Sequence, residues 1–198
     1  MTNAAGDAAR EVWLRGNLRP VVGLAVAGLL VGAALGAAVL LADVSAAFRW
    51  LAAASLAAGA AAIGGLAVAA SRPRLERRGD CLLVRLSPTQ VHELPLEIVE
   101  CFFLGSHSLE PEGVPPRDDV VTHRVGTLVV RIAERALAYR ERPTFGPWGT
   151  WQEGSIVCDG RWCEPLSAER ARWLSGRLIE AKRSAAARRA EPAAGAHA

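Results

Sequence analysis

The stretch PVVGLAVAGLLVGAALGAAVLLA, residues 20–42, runs for 23 residues without a charge and is dominated by six Leu and five Val. At about 1.5 Å per residue a helix of this length reaches roughly 34 Å, enough for a hydrocarbon core of about 30 Å. The eleven Leu and Val side chains favour insertion by about 3–7 kcal/mol. Pro20 stands in the first turn, where a helix accepts it. A second uncharged run, WLAAASLAAGAAAIGGLAVAA at residues 50–70, is weaker, because Ala and Gly fill most of it. It needs the first helix as a partner. Seven residues, Asp43–Arg49, join the two, a length that suits an antiparallel helical pair.

Neither run has the polar face of a soluble amphipathic helix. Val44-Ser45-Ala46 offers small residues of the kind found at signal-peptide cleavage sites. However, a 23-residue apolar run exceeds an ordinary signal core, and a second run follows at once. The reading is a transmembrane helical hairpin over 20–70. Gly28, Gly32 and Gly36 form a small-xxx-small stripe that lets helix backbones approach closely in lipid. That stripe serves the hairpin or a homodimer. Arg10, Arg15 and Arg19 precede the first run and Arg72, Arg74, Arg77 and Arg78 follow the second, whereas the connection holds only Arg49, beside Asp43. By the positive-inside rule both termini face the cytoplasm.

The whole chain of 198 residues is 51% apolar and 22% charged with a net charge of +3, and residues 71–198 read like an ordinary soluble domain. Almost all its cations are Arg, a codon-usage signature, and the net charge is too small for a nucleic-acid-binding face. Residues 1–19 read as a cytoplasmic segment, 71–183 as a β-rich domain and 184–198 as a disordered Ala/Arg tail. Gly79-Asp80 joins Arg74–Arg78 to Cys81–Leu86 as a hairpin, with Leu82, Val84 and Leu86 on one face. Pro95 breaks Val91–Leu94 from Leu96–Leu104, and Ile98–Leu104 reads as the most buried strand. Thr127–Ala133 alternates, with Leu128, Val130 and Ile132 inward, and Leu137–Arg142 is expected to pair with it. Asp159-Gly160 predicts a type I′ hairpin that sets Val157 opposite Trp162. Ser167 caps a final helix whose apolar stripe is Ala171, Leu174, Leu178 and Ala181.

The early hairpin, the run Glu93-Leu94-Pro95-Leu96-Glu97-Ile98-Val99 and the terminal helix together resemble a pleckstrin-homology-like (PH-like) domain. With the helical hairpin in front, the chain is similar to bacterial inner-membrane proteins that carry such domains. The fold class expected is α+β, with a transmembrane hairpin followed by a small antiparallel β-barrel or sandwich closed by a C-terminal helix. The resemblance implies a binding or scaffolding domain rather than a catalyst.

Motifs for chemistry are missing. Cys81, Cys101, Cys158 and Cys163 lack zinc-finger spacing and read as reduced, buried small hydrophobes. His92, His107 and His123, with Glu110, Glu112, Asp118 and Asp119, have no metal-site spacing. There is no nucleophile elbow, phosphate loop or dinucleotide fingerprint. No cofactor, metal or catalytic residue is expected. Two features suit binding. Arg72, Arg74, Arg77 and Arg78 can hold anionic lipid, each worth about 1 kcal/mol, or can simply set topology. Phe145, Trp148 and Trp151 lie in a Pro/Gly-rich loop that either docks a partner or folds into the core. The expected partners are the bilayer and a protein, the alternative function being an anionic-lipid sensor.

Overall fold

The computed structural model describes residues 10–42, 45–108, 124–140, 142 and 144–194. It divides into two compact units: residues 16–72, and residues 10–15 together with 73–194.

The first unit is a pair of antiparallel helices, α1 (Arg19–Leu41) and α2 (Ala46–Ser71), with Pro20 in the first turn of α1. Both are long and apolar enough to cross a membrane, and their large side chains point outward: Leu29, Leu40 and Leu41 are 72–89% exposed. The helices meet through small residues. A β-carbon added to Gly28 would stand 3.2 Å from Ile63 Cδ1, and one on Gly32 3.3 Å from Leu56 Cδ2. At Gly36 nothing lies within 4 Å, so the third glycine of the stripe faces open space. At the open end of the pair Gly16 is indispensable. A β-carbon there would lie 2.0 Å from the Ala70 carbonyl oxygen, a backbone contact that no rotamer change relieves.

Among its described residues the second unit is α+β, with two antiparallel sheets and one α-helix. Strands β1 (Arg10–Leu14), β2 (Leu75–Arg78), β3 (Cys81–Val84) and β4 (His92–Pro95) form the first sheet in that order. Strands β5 (Val99–Ser108), β6 (Arg124–Ile132), β7 (Thr144–Gly146), β8 (Gly149–Gln152) and β9 (Ser155–Asp159) form the second in the order β5-β6-β9-β8-β7. Among the described residues the two sheets do not join into a closed barrel, so the barrel form of the expectation does not hold. Helix α3 spans Ala168–Ala194. One apolar core draws on both sheets and on α3, through side chains such as Trp13, Leu82, Leu128, Trp151 and Leu174.

Several expectations match. The β2–β3 turn is Gly79-Asp80, with φ +60° at Gly79 alone, which is the type II′ requirement. Leu82, Val84 and Leu86 are fully buried, as are Leu128 and Val130, and Ile132 is nearly so. Pro95 ends β4 before a 3-10 turn at Leu96–Ile98. Ser167 Oγ accepts the Arg170 N–H and caps α3, and Ala171, Leu174, Leu178 and Ala181 are its buried stripe.

Others need correction. The N-terminal segment is not separate from the domain, because Arg10–Leu14 supplies β1, paired in register from Arg10↔Arg78 to Leu14↔Leu75. The run Ile98–Leu104 is an edge strand with a bulge between Val99 and Cys101; Phe103 and Leu104 stay 45% and 39% exposed. Leu137–Tyr139 is a 3-10 turn, because β9 takes the edge of β6 with Val130↔Ile156. Asp159-Gly160 makes no hairpin. The Asp159 carboxylate accepts the Arg161 N–H at 2.8 Å and starts a 3-10 turn at Gly160–Trp162. The type I′ geometry lies at Glu153-Gly154, with φ +50° and +70°, between β8 and β9. Helix α3 continues past 183 to Ala194, where a disordered tail was expected, and Arg188 and Arg189 pair with Asp80 and Glu97.

The strand that precedes the helix pair carries a core tryptophan. Trp13 is fully buried and meets Phe102 edge-on at 6.0 Å. Trp13→Ala should cost about 3–5 kcal/mol. Urea unfolding of the full chain, followed by tryptophan fluorescence, should show this as a lower midpoint with an unchanged slope.

Candidate functional site

The arginines that follow α2 do not form one surface. Arg72 is exposed, but Arg74 is 1% exposed and enters the core. Its guanidinium lies 3.5 Å above the Trp148 ring, and its Nε–H donates to the Trp162 carbonyl at 2.9 Å. Burial pushes Arg74 down to about 10, which leaves it charged at neutral pH. Arg77 donates to the Gly79 carbonyl at 2.9 Å and faces Glu11. Arg78 is exposed and pairs with Glu76. That carboxylate is fully buried and is shared with Arg10 at 2.8 Å and Arg85 at 3.2 Å. A buried carboxylate is tolerable only when its oxygens are satisfied in this way.

The aromatic loop is likewise internal. Trp148 is 1% exposed beneath Arg74, and Trp151 is fully buried with its indole N–H donating to the Tyr139 carbonyl at 3.1 Å. Phe145 lies on β7 opposite Thr150, and its side chain is outside the described residues. So Trp148 and Trp151 hold the β7–β8 hairpin in place rather than offering a docking surface.

Burial pushes the Cys158 and Cys163 thiols up to about 12 and Cys81 to about 11, so these thiols stay protonated and inert. Two cysteines depart from the expectation of burial: Cys81 is only half-buried, and Cys101 is exposed on edge strand β5. Among the described residues no group of three or more His, Cys, Asp or Glu gathers as a metal site. The side chains of His107, His123, Glu110, Glu112, Asp118 and Asp119 lie outside the described residues.

What remains is a concavity on the outer face of the second sheet, of about 340 Å³. The register builds it. Thr127 stands beside Asp159, and Val157 between Val129 and Thr150, all on the face opposite the core residues Leu128 and Ile156. Gly146, Pro147 and Gly149 line it largely with backbone, and Arg161, held on Asp159 at 2.6 Å, lines it as well. Val125 and Val157 give it apolar surface, Thr150 and the buried Thr127 give it hydroxyls, and Asp159 with Arg161 gives it an ion pair. Such a surface suits recognition of a partner, with polar groups that fix orientation. Sequence alternation alone can place Thr127 on this face. The residues of β8 needed the turn at Glu153-Gly154, which no Asn or Asp announces.

His92 gives the domain a pH dependence. Its ring meets Trp151 edge-on at 5.3 Å and its Nε2 is buried without a hydrogen bond. Burial, with Arg142 adding to it, holds the imidazole below its ordinary 6.5. The folded state therefore binds fewer protons than the unfolded one, so stability present above 6.5 is lost as pH falls below it. Melting temperatures from pH 7.5 down to 5 should fall more steeply for the parent than for His92→Phe. A second expectation concerns the buried carboxylate: Glu76→Gln should cost about 3 kcal/mol in denaturant unfolding. Compared with family models, curated proteins and solved structures, the chain gives no match.

Proposed function

We propose that this is a non-enzymatic integral membrane protein whose β domain, PH-like in plan, docks a protein partner at the cytoplasmic side of a bacterial inner membrane. The observation that carries the reading is the pairing of β1 with β2. These strands precede and follow the two apolar helices, yet they share one sheet with Leu14 opposite Leu75. Both strands must then occupy the same side of any bilayer, so the helices cross it together or not at all. Two helices of 23 and 26 residues with outward-facing Leu and Val support crossing. The arginine count on the flanks supports the cytoplasmic side for the domain.

A protein partner is favoured over anionic lipid as the ligand of the β domain by the fate of its arginines. Arg74 and Arg77 are committed to internal contacts and Arg78 to Glu76, which leaves Arg72 alone as an exposed, uncommitted member of the array. The concavity bounded by Thr127, Thr150 and Val157 is the better-formed surface. Two sheets with the helix last in the chain support the PH-like plan.

Exposed Cys101 is a natural reporter of sidedness. An impermeant maleimide should label it in inverted vesicles and leave it unlabelled in intact cells, and the chain should resist alkaline carbonate extraction. A photocrosslinker at Val157 should give a discrete protein adduct in native membranes that Thr150→Arg removes. Labelling in intact cells would overturn the orientation. Crosslinks only to lipid would favour the lipid-sensor alternative.

A further inference from the structure

We propose that the far end of the helix pair holds one anionic phospholipid of the leaflet on the α1–α2 connection side, with an acyl chain in the interhelical groove and its phosphate on Arg49. This rests on the reading that the two helices span a membrane. The groove is apolar, has a volume of about 600 Å³ and lies between α1 and α2, from Gly36 and Leu40 to Phe48 and Leu56. Ligand pockets typically enclose about 300–1,000 Å³. It exists because Gly36 meets nothing across the pair, whereas Gly28 and Gly32 are in contact. Ser55 in its wall already donates to the Leu51 carbonyl at 2.9 Å, so Arg49 is the polar determinant of the site.

Arg49 is placed against its own helix. It lies in the first turn of α2, where the helix end is positive and an acid is the stabilising choice, yet that turn has no acid and the cap is the neutral Ser45 hydroxyl, which accepts the Phe48 N–H. An anion at this point would answer the Arg49 charge. Depth agrees. Phe48 and Trp50, 51% and 78% exposed, flank Arg49 as an aromatic pair of the kind that sits at headgroup level. From Arg49 to Leu56 the groove then descends about 10 Å toward the hydrocarbon. Phosphate at the mouth and chain in the groove fit one phospholipid.

The test uses the full chain in a mild non-ionic detergent. Native mass spectrometry would follow titration with phosphatidylglycerol or with phosphatidylcholine of the same acyl chains. One phosphatidylglycerol per chain is expected, bound about fivefold more tightly than phosphatidylcholine. Arg49→Gln should remove that preference, and Gly36→Leu should weaken both lipids by filling the groove. Equal binding of the two lipids, or unchanged binding in both variants, would overturn the proposal. A dimer that Gly36→Leu dissolves, with no lipid adduct in the parent, would overturn it by giving the groove to a second copy. Release of the chain by alkaline carbonate would overturn the spanning reading and this site together, whereas a retained chain without lipid preference would overturn the site alone.

Discussion

Everything in the β domain depends on a strand that the chain makes before it enters its apolar helices. Arg10–Leu14 finds Leu75–Arg78 only after about sixty intervening residues, an ordering cost repaid by burial of Trp13 and Leu14. Glu76 fixes the pairing electrostatically. Its buried carboxylate draws Arg10 from β1, Arg78 from its own strand, and Arg85 from beyond β3. Removal of that carboxylate leaves three guanidinium groups without their shared anion. On the other side of the same pair, Arg177 of α3 reaches Glu11, so the last helix is also clasped to the first strand. In sequence, the helix pair is thus an insertion between two paired strands of one sheet.

The sequence was legible where one physical rule dominated. Uniform hydrophobicity over 20–42 and 50–70 permits no other local structure than a helix, and strict alternation at Leu128, Val130 and Ile132 fixes which face is inside. It misled where two rules competed. Asp159-Gly160 has the composition of a type I′ turn, but the Asp159 carboxylate has a nearer donor in the Arg161 N–H and folds the chain into a 3-10 turn. Glu153 accepts a left-handed φ of +50° because the strands on either side leave room for only two residues. Strand β1 was illegible for a different reason. REVWL is too short to signal a strand alone, and its partner lies beyond two helices. Trp13, an aromatic close to an apolar run, has the sequence context of an interfacial anchor, yet it is fully buried in the core.

The candidate site shows the same limits. Arginines beside an apolar run are expected at a membrane surface, but a side chain's use is decided by what packs over it. Arg74, just before β2, is buried over the Trp148 ring, whereas Arg78, in the same strand phase at the other end of β2, is exposed. Cation–π contact and a carbonyl acceptor make that burial tolerable for Arg, whose guanidinium is weakly hydrated. Lysine at this position would have neither the planar face nor the donor direction.

These arginines need not choose between topology and architecture, because the two demands act at different times. On the proposed spanning reading, orientation is set while the helices insert, when the flanking segments are still unfolded and every arginine counts as a cation beside the membrane. Pairing of β1 with β2 follows, since β1 has no partner until the chain returns through α2. Arg10, Arg74, Arg77 and Arg78 then move into ion pairs, a carbonyl contact and the Trp148 stack. In the proposed orientation the same positive charges first hold the flanks on one side and afterwards hold the sheet together. Arg49 meets neither demand: it stands between the two apolar helices, against the charge rule in that orientation, and in the first turn of α2 it opposes the helix dipole, and the proposed anion would answer both.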